Sequence, residues 1–305
     1  MPRDYMHETL QRHVARGEAD SGYWWDEDRI PLDTIDKRVP ELLDLTGKKA
    51  VVTGGAGLNL GQACVNRLAG LGADVAVVDL EPDAAQRSGR QRWAALPDAE
   101  GVAQQAAKKW GANVFPVYGD VMHWDSVQDV LARCHDRLGG IDILVNNAAD
   151  TANGDFATMT REDIDRSVQG TLVGTLYCSR VVLDYMIPQA SGRIINIGSE
   201  AGLSAMPRLT LYGSLKAGLA TFTRFLGKEV AHHGIQVLGV NAGSMWGPNR
   251  PVPTDVAETL YPRARTAIQR YELPEEVANM VAFLASDAAS CMTGTMVDMG
   301  GGMSI

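Results

Sequence analysis

The chain has 305 residues, 45% of them hydrophobic and 21% charged, the proportions of an ordinary globular protein. That composition argues against a disordered polymer, a collagen-like repeat and a coiled coil, and the length suits one large domain or two small ones. Thirty-seven acidic against 28 basic residues leave a net charge of -9, which speaks against a broad nucleic-acid surface.

In chain order, residues 1–47 stand apart. They are rich in charge, Tyr23, Trp24 and Trp25 fall together, and Pro31 and Pro40 interrupt any long helix. They read as an N-terminal extension, with the aromatic trio docked on the domain or on a neighbouring subunit because it is costly to leave in water. From Lys48 a strand–helix alternation begins. Strands are predicted at Ala50–Thr53, Asp74–Val78, Asn113–Val117, Ile141–Val145, Arg193–Ile197 and Ile235–Val240. Amphipathic helices are predicted near Gln62–Leu71, Val102–Trp110, Ser126–Leu138, Arg161–Met186, Leu211–His232 and Glu275–Ala285. Strands that read as continuous apolar runs are buried on both faces. The expected fold is therefore α/β, a doubly wound parallel sheet with helices on both faces over residues 48–305. Two stretches look inserted. Glu81–Gly101, with Arg87, Arg90 and Arg92, reads as a surface loop. Ser244–Glu272 is proline-rich and lies where an open α/β sheet places its ligand, so a substrate loop is expected at about 244–273.

Cys64, Cys134, Cys178 and Cys291 fit neither a zinc spacing nor a disulfide framework, and they read as small core residues in a reducing compartment. Residues 1–10 hold no apolar segment, and no apolar run approaches the roughly 18 residues of a membrane span. A cytoplasmic protein with neither a membrane nor a nucleic-acid partner is expected. His123, His232 and His233 have no partner at ligand spacing, so no metal is expected.

The chemistry starts at the first strand's end, Thr53-Gly54-Gly55-Ala56-Gly57-Leu58-Asn59-Leu60-Gly61, which runs into a helix. Glycines there permit a tight turn and let backbone N–H groups approach a pyrophosphate at the positive helix end. The next strand ends at Asp79, 18 residues beyond Gly61. A carboxylate there can hold both hydroxyls of an adenosine ribose, so NAD is the expected cofactor.

At this point the chain resembles the short-chain dehydrogenase/reductase family, from about Lys48 to Ser304. Asp120-Val121 resembles its adenine-contacting pair, and Asn146-Asn147-Ala148-Ala149 its Asn-Asn-Ala-Gly turn. Ser199, with Tyr212 thirteen residues on and then Lys216, resembles its serine and Tyr-x-x-x-Lys. The resemblance implies a Rossmann-type fold and hydride transfer between NAD and a secondary alcohol/ketone pair. It also implies that Tyr212 exchanges the proton, Ser199 positions the substrate oxygen and Lys216 also holds the nicotinamide ribose. Implied cofactor contacts are Gly54, Gly57, Asn59, Leu60, Gly61, Asp79, Asp120, Val121, Asn147, Ala148, Tyr212, Lys216 and Gly243. The family's fourth catalytic residue, an asparagine, corresponds to Thr171, and a proton relay is assigned to Thr171, to Gln169 or to water. The glycine turn is one residue longer than usual, and Asn241-Ala242-Gly243 stands where Pro-Gly is usual. A homotetramer or homodimer is implied, with the helices Arg161–Met186 and Leu211–His232 between subunits.

The spacing has its own physical logic. Tyr212 and Lys216 are four apart and share one helix face. A phenol titrates near 10, and a neighbouring ammonium is expected to lower that value. Asp150 and Thr151 are expected on the substrate side, joined by Met206, Arg208, Trp246 and Tyr261. Arg250, Arg263, Arg265 and Arg270 read as a solvated face, or else attract an anionic substrate. Two other functions remain open on sequence alone: a 3-oxoacyl-thioester reductase, and an inactive nucleotide-binding regulatory protein.

Overall fold

The structure, a computed structural model, describes residues 12, 15–17, 31, 34–82, 98–246 and 266–303. The chain divides into two units, Met1–Arg38 and Val39–Ile305. In the first, Thr34 Oγ1 donates to the Pro31 carbonyl at 2.6 Å. Tyr23, Trp24 and Trp25, and likewise Arg87, Arg90 and Arg92, lie outside the described residues. The division falls earlier than the boundary expected after residue 47. Leu45 is fully buried, and its N–H donates to the Leu71 carbonyl at 2.8 Å.

The second unit is built on seven parallel strands: β1 (Lys49–Thr53), β2 (Asp74–Asp79), β3 (Val114–Tyr118), β4 (Ile143–Asn146), β5 (Gly192–Ser199), β6 (Ile235–Ala242) and β7 (Thr295–Asp298). Their order is β3-β2-β1-β4-β5-β6-β7, with Thr53 opposite both Val78 and Asn146. The order reverses between β1 and β4, the place where open α/β sheets form a ligand crevice at the carboxyl ends of the strands. All six pairings are parallel, as the strand–helix alternation requires.

Besides a four-residue helix at Val39–Leu42, the α-helices among the described residues of this unit are α1 (Leu60–Gly70), α2 (Ala99–Trp110), α3 (Trp124–Leu138), α4 (Arg161–Val168), α5 (Gly174–Gln189), α6 (Thr210–Val230) and α7 (Pro274–Ala285). Val52, Val75 and Val77 point into one core with α1, α2 and α7. Their strand neighbours Val51, Ala76 and Val78 point into the other core, with α3 and α5. This is the alternation of a strand buried on both faces, which erases any polar period from the sequence. α2 is capped by Asp98, whose side chain accepts from Gly101 N–H, and ends at Gly111 in the left-handed region.

Two departures from expectation matter. β7 carries no strong apolar run: it is short, half-buried and at the sheet edge. The helix expected over Arg161–Met186 is interrupted by a π turn, Gln169–Val173. There a Cβ on Gly170 would lie 2.7 Å from Asp150 Cβ, and Thr171 Oγ1 donates to the Asp150 carbonyl at 2.9 Å. The extra residue lets the helix pass the chain that follows β4. Cys64, Cys134 and Cys178 are buried as expected, whereas Cys291 is exposed. Among the described residues, no helix is long and apolar enough to cross a membrane.

Candidate functional site

A cleft of about 480 Å³ opens at the reversal point, walled by Gly54, by residues 57–61, by Val78–Leu80, by 119–122, by Asn147–Asp150 and by Tyr212 and Lys216. Twelve residues proposed from sequence as cofactor contacts therefore share one surface: Gly54, Gly57, Asn59, Leu60, Gly61, Asp79, Asp120, Val121, Asn147, Ala148, Tyr212 and Lys216.

The glycine turn closes on itself. Gly57 N–H donates to the Gly54 carbonyl at 3.0 Å. Gly54 has φ +61°, and a Cβ there would lie 2.8 Å from Ala148 Cα. A Cβ on Gly61 would collide with the Gly54 carbonyl oxygen. The backbone path thus demands glycine at these two positions. Asn147 holds the turn from β4: its Nδ2 donates to the Thr53 and Gly54 carbonyls at 3.1 and 2.9 Å. Behind it, Asn146 Nδ2 donates to Ser179 Oγ and Asn196 Oδ1 at 3.0 and 2.9 Å, a buried polar tie between β4, β5 and α5. At the start of α1, Asn59 makes no capping bond and its buried Oδ1 has no hydrogen-bond partner. The first turn of α1 therefore offers free N–H groups and one unspent acceptor to an incoming group.

Asp79 lines the cleft at the end of β2, beside the glycine turn. Its Oδ2 accepts from Ala56 N–H at 2.9 Å and its Oδ1 from Leu80 N–H at 2.8 Å. Burial pushes its carboxyl above the usual range, and the two backbone bonds pull against that shift. Each oxygen keeps a lone pair for a further donor. Asp120 Oδ1 accepts from Met122 N–H at 2.9 Å, shaping the wall after β3.

On the other side, Lys216 is 4% exposed and its Nζ donates to the Ile197 carbonyl at 2.6 Å. Burial lowers its pKa to about 8. The Nζ lies 5.7 Å from the centre of the Tyr212 ring. Ser199 ends β5, and its Oγ accepts from Ala201 N–H at 3.2 Å. The electrostatics correct one expectation. Tyr212 is shifted up, not down: burial is the largest cause and the hydrogen bond with Ser199 opposes it. Desolvation of the phenol sets the direction, and Lys216 is not among the groups that shift it.

Two expected contacts fall elsewhere. Gly243 is not on the cleft wall; its N–H donates to Glu272 Oε2 at 2.8 Å. The Thr171 hydroxyl, 1% exposed, is spent on the Asp150 carbonyl, and Gln169 Nε2 donates to the Met122 carbonyl at 2.7 Å. Neither side chain reaches the cleft as a relay. Asp150 lines the wall as expected, whereas Trp246, 41% exposed, lies on a neighbouring cavity with Arg67 and Lys109. Arg270 is committed to Glu276, with both carboxylate oxygens engaged at 2.7 and 2.6 Å. Tyr261, Arg250, Arg263, Arg265 and most of the loop at 244–273 lie outside the described residues. Sequence reasoning missed Ile197, Met245 and the buried Glu200 and Glu272. The only signal for Glu200 was its place next to Ser199, and Glu272 had none.

Comparisons with known proteins agree with this fold. A family profile described as Enoyl-(Acyl carrier protein) reductase matches residues 55–304. The chain is 32% identical over 261 residues to a 3-oxoacyl-[acyl-carrier-protein] reductase FabG of Aquifex aeolicus, covering 86% of this chain and 99% of the relative. It is also 32% identical over 260 residues to an acetoacetyl-CoA reductase of Cupriavidus necator, covering 85% and 99%. A short chain dehydrogenase from Burkholderia cenocepacia, solved in complex with NADP, superposes with a TM-score of 0.73 at 29% identity, over 86% of this chain and 99% of that one.

Proposed function

Because this chain belongs to the short-chain dehydrogenase/reductase family, we propose that it is an NAD-dependent oxidoreductase of the cytoplasm that interconverts a secondary alcohol and a ketone. The observation that carries the reading is the placement of Tyr212 and Lys216 on the wall of the cleft that also exposes Asp79 and the glycine turn. The residues present fit a dinucleotide. A Cβ on Gly54 or Gly61 would collide with neighbouring backbone, which keeps the turn bare beside the start of α1, and the unpartnered Asn59 Oδ1 is an acceptor suited to a ribose hydroxyl. Gly54, Gly57, Asn59, Leu60 and Gly61 would hold the pyrophosphate side, Asp120, Val121, Asn147 and Ala148 the wall between, and Asp79 the adenosine ribose. When bound, the nicotinamide ring supplies the acceptor or donor of the hydride.

The chain's own residues handle the proton. In oxidation Tyr212 Oη takes the alcohol proton; in reduction it returns that proton to the forming alkoxide. Ser199 Oγ accepts from Ala201 N–H and is hydrogen-bonded to Tyr212; with substrate present its O–H turns from the phenol to the substrate oxygen and stabilises charge developing there. Lys216 spends one N–H on the Ile197 carbonyl and keeps two for a ribose hydroxyl and for the tyrosine side of the site. Thr171 acts in this scheme as a positioning residue, pinning the π turn to the chain after β4. The protein assembles as a homotetramer or homodimer in this reading, with α4–α5 and α6 between subunits.

The names of the Aquifex and Cupriavidus relatives favour a second reading, reduction of a 3-oxoacyl thioester. The test mixes protein with NAD or NADP and a panel of secondary alcohols, and with NADH or NADPH and an acetoacetyl thioester, while nicotinamide fluorescence is followed. Turnover with NAD and a simple alcohol supports the first reading. Turnover confined to NADPH and the thioester replaces it with the second. Cofactor binding without turnover on any class leaves a regulatory nucleotide-binding protein.

A further inference from the structure

The buried polar tie behind the glycine turn does not stop at α5. It runs on to α6, the helix that carries Tyr212 and Lys216. Asn146 Nδ2 donates to Asn196 Oδ1 at 2.9 Å, and Asn196 Nδ2 donates to Thr223 Oγ1 at 2.9 Å. The Thr223 hydroxyl donates in turn to the Leu219 carbonyl at 2.9 Å. All three side chains are sealed from water: Asn146 is 3% exposed, and Asn196 and Thr223 are 0% exposed. They join the end of β4, the middle of β5 and the buried side of α6, where Leu215, Lys216, Leu219 and Ala220 also lie.

Packing alone does not call for these residues. Valine has the shape of threonine and would fill the place of Thr223 with no polar group to desolvate. What the polar chain adds is uniqueness. An apolar helix face tolerates some sliding and rotation on a sheet, whereas a buried amide and a buried hydroxyl are satisfied together in one register. The direction of the chain is fixed as well. The one hydrogen of Thr223 Oγ1 goes to Leu219, so Thr223 can only accept from Asn196, which then turns its Oδ1 to Asn146.

That register sets the reacting groups. Lys216 Nζ donates to the carbonyl of Ile197, the residue after Asn196 in β5. Thr223 lies seven residues after Lys216 on the same helix face, two turns and about 10 Å along the axis. α6 is thus fastened to β5 at two levels, and a helix held at two points cannot pivot about one of them. At the other end of the chain, Asn147 follows Asn146 and holds the Thr53 and Gly54 carbonyls of the glycine turn. We propose that Asn196 and Thr223 are positioning residues that lock the rotation and height of α6 on β5, and so place Tyr212 and Lys216 opposite the glycine turn. The consequence for turnover rests on the proposed oxidoreductase function; the placement of Lys216 does not.

Lys216 supplies a readout independent of turnover. It is 4% exposed, so an amine reagent reaches it only when α6 shifts away from β5. In pulse labelling of the full-length protein with acetic anhydride, read by peptide mass, Lys216 should react about tenfold faster in Thr223→Val than in wild type. Thr223→Ala should repeat that rise, and Thr223→Ser, which restores the hydroxyl, should return to the wild-type rate. Val127→Ala, at a buried position of α3 outside the tie, controls for loss of stability alone and should leave the rate unchanged. On a substrate that the wild type accepts, kcat should fall about tenfold in Thr223→Val and recover in Thr223→Ser, because a small misplacement of reacting groups is costly. A Lys216 rate unmoved in Thr223→Val and Thr223→Ala, or raised equally in Val127→Ala, overturns the positioning role. Faster labelling beside an unchanged kcat overturns its bearing on catalysis. A wild type that turns over no substrate class refutes the oxidoreductase reading instead, and the labelling rates then decide the lock by themselves.

Discussion

Replacing Asp79 by alanine tests the cofactor assignment most sharply. Its carboxylate lines the cleft at the end of β2 and accepts the Ala56 and Leu80 N–H groups at 2.9 and 2.8 Å. NADP would bring a 2′-phosphate of about -1.5 to -2 charges to the place where NAD brings a hydroxyl. At roughly 4 Å and an effective dielectric near 20, each pair of unit charges repels by about 4 kcal/mol. The two backbone donors draw charge from the carboxylate, and solvent reaches part of it, so a net preference for NAD of about 2–4 kcal/mol is expected, roughly 30- to 1000-fold. In Asp79→Ala the repulsion disappears, and the two freed N–H groups become donors for the phosphate. The assay is kcat/KM with NAD and with NADP on both proteins, and the ratio should move toward NADP by at least about tenfold. The preference should also shrink as pH falls, since burial has raised the Asp79 carboxyl and its protonation removes the charge that repels the phosphate. Equal efficiency in the wild type, or a ratio indifferent to Asp79→Ala, would refute the reasoning.

Tyr212→Phe keeps the ring and removes the proton carrier; turnover should fall at least about 100-fold with cofactor affinity nearly unchanged, and more than a tenth of activity remaining would remove Tyr212 from the role. Lys216 holds its ammonium at a cost, its pKa lowered to about 8, so the unfolded chain binds more protons above that value and stability should rise with pH from about 8 toward 10.5. Lys216→Met should flatten that rise in a series of denaturant titrations and weaken the cofactor, and a slope that survives in the variant would show that another group carries it. Thr171→Val leaves the Asp150 carbonyl without its donor inside the π turn, at an expected cost of about 1–3 kcal/mol; a chemical-denaturation midpoint equal to wild type would mean the hydrogen bond contributes nothing.

The order of strands and helices was legible because it is local. β1 and β2 read as apolar runs, and α2 ends at a glycine just where its apolar face stops. The glycine turn, Asp79, and the spacing of Ser199, Tyr212 and Lys216 were legible for the same reason: each puts a functional group at a strand end or on one helix face. What escaped depended on groups far apart in the chain. β7 shows little apolar signal because it is a half-buried edge. The π turn at Gln169–Val173 is set by a close approach between Gly170 and Asp150. Tyr212 shifts upward, against the expectation from its neighbouring lysine, because the desolvation of a phenol depends on everything packed around it. Gly243 gives its N–H to Glu272, and Gly300 gives its own to Glu200, two contacts made across 29 and 100 residues of chain. A sequence states which groups can ionise and donate; how much water each one loses is settled only when distant segments close over it.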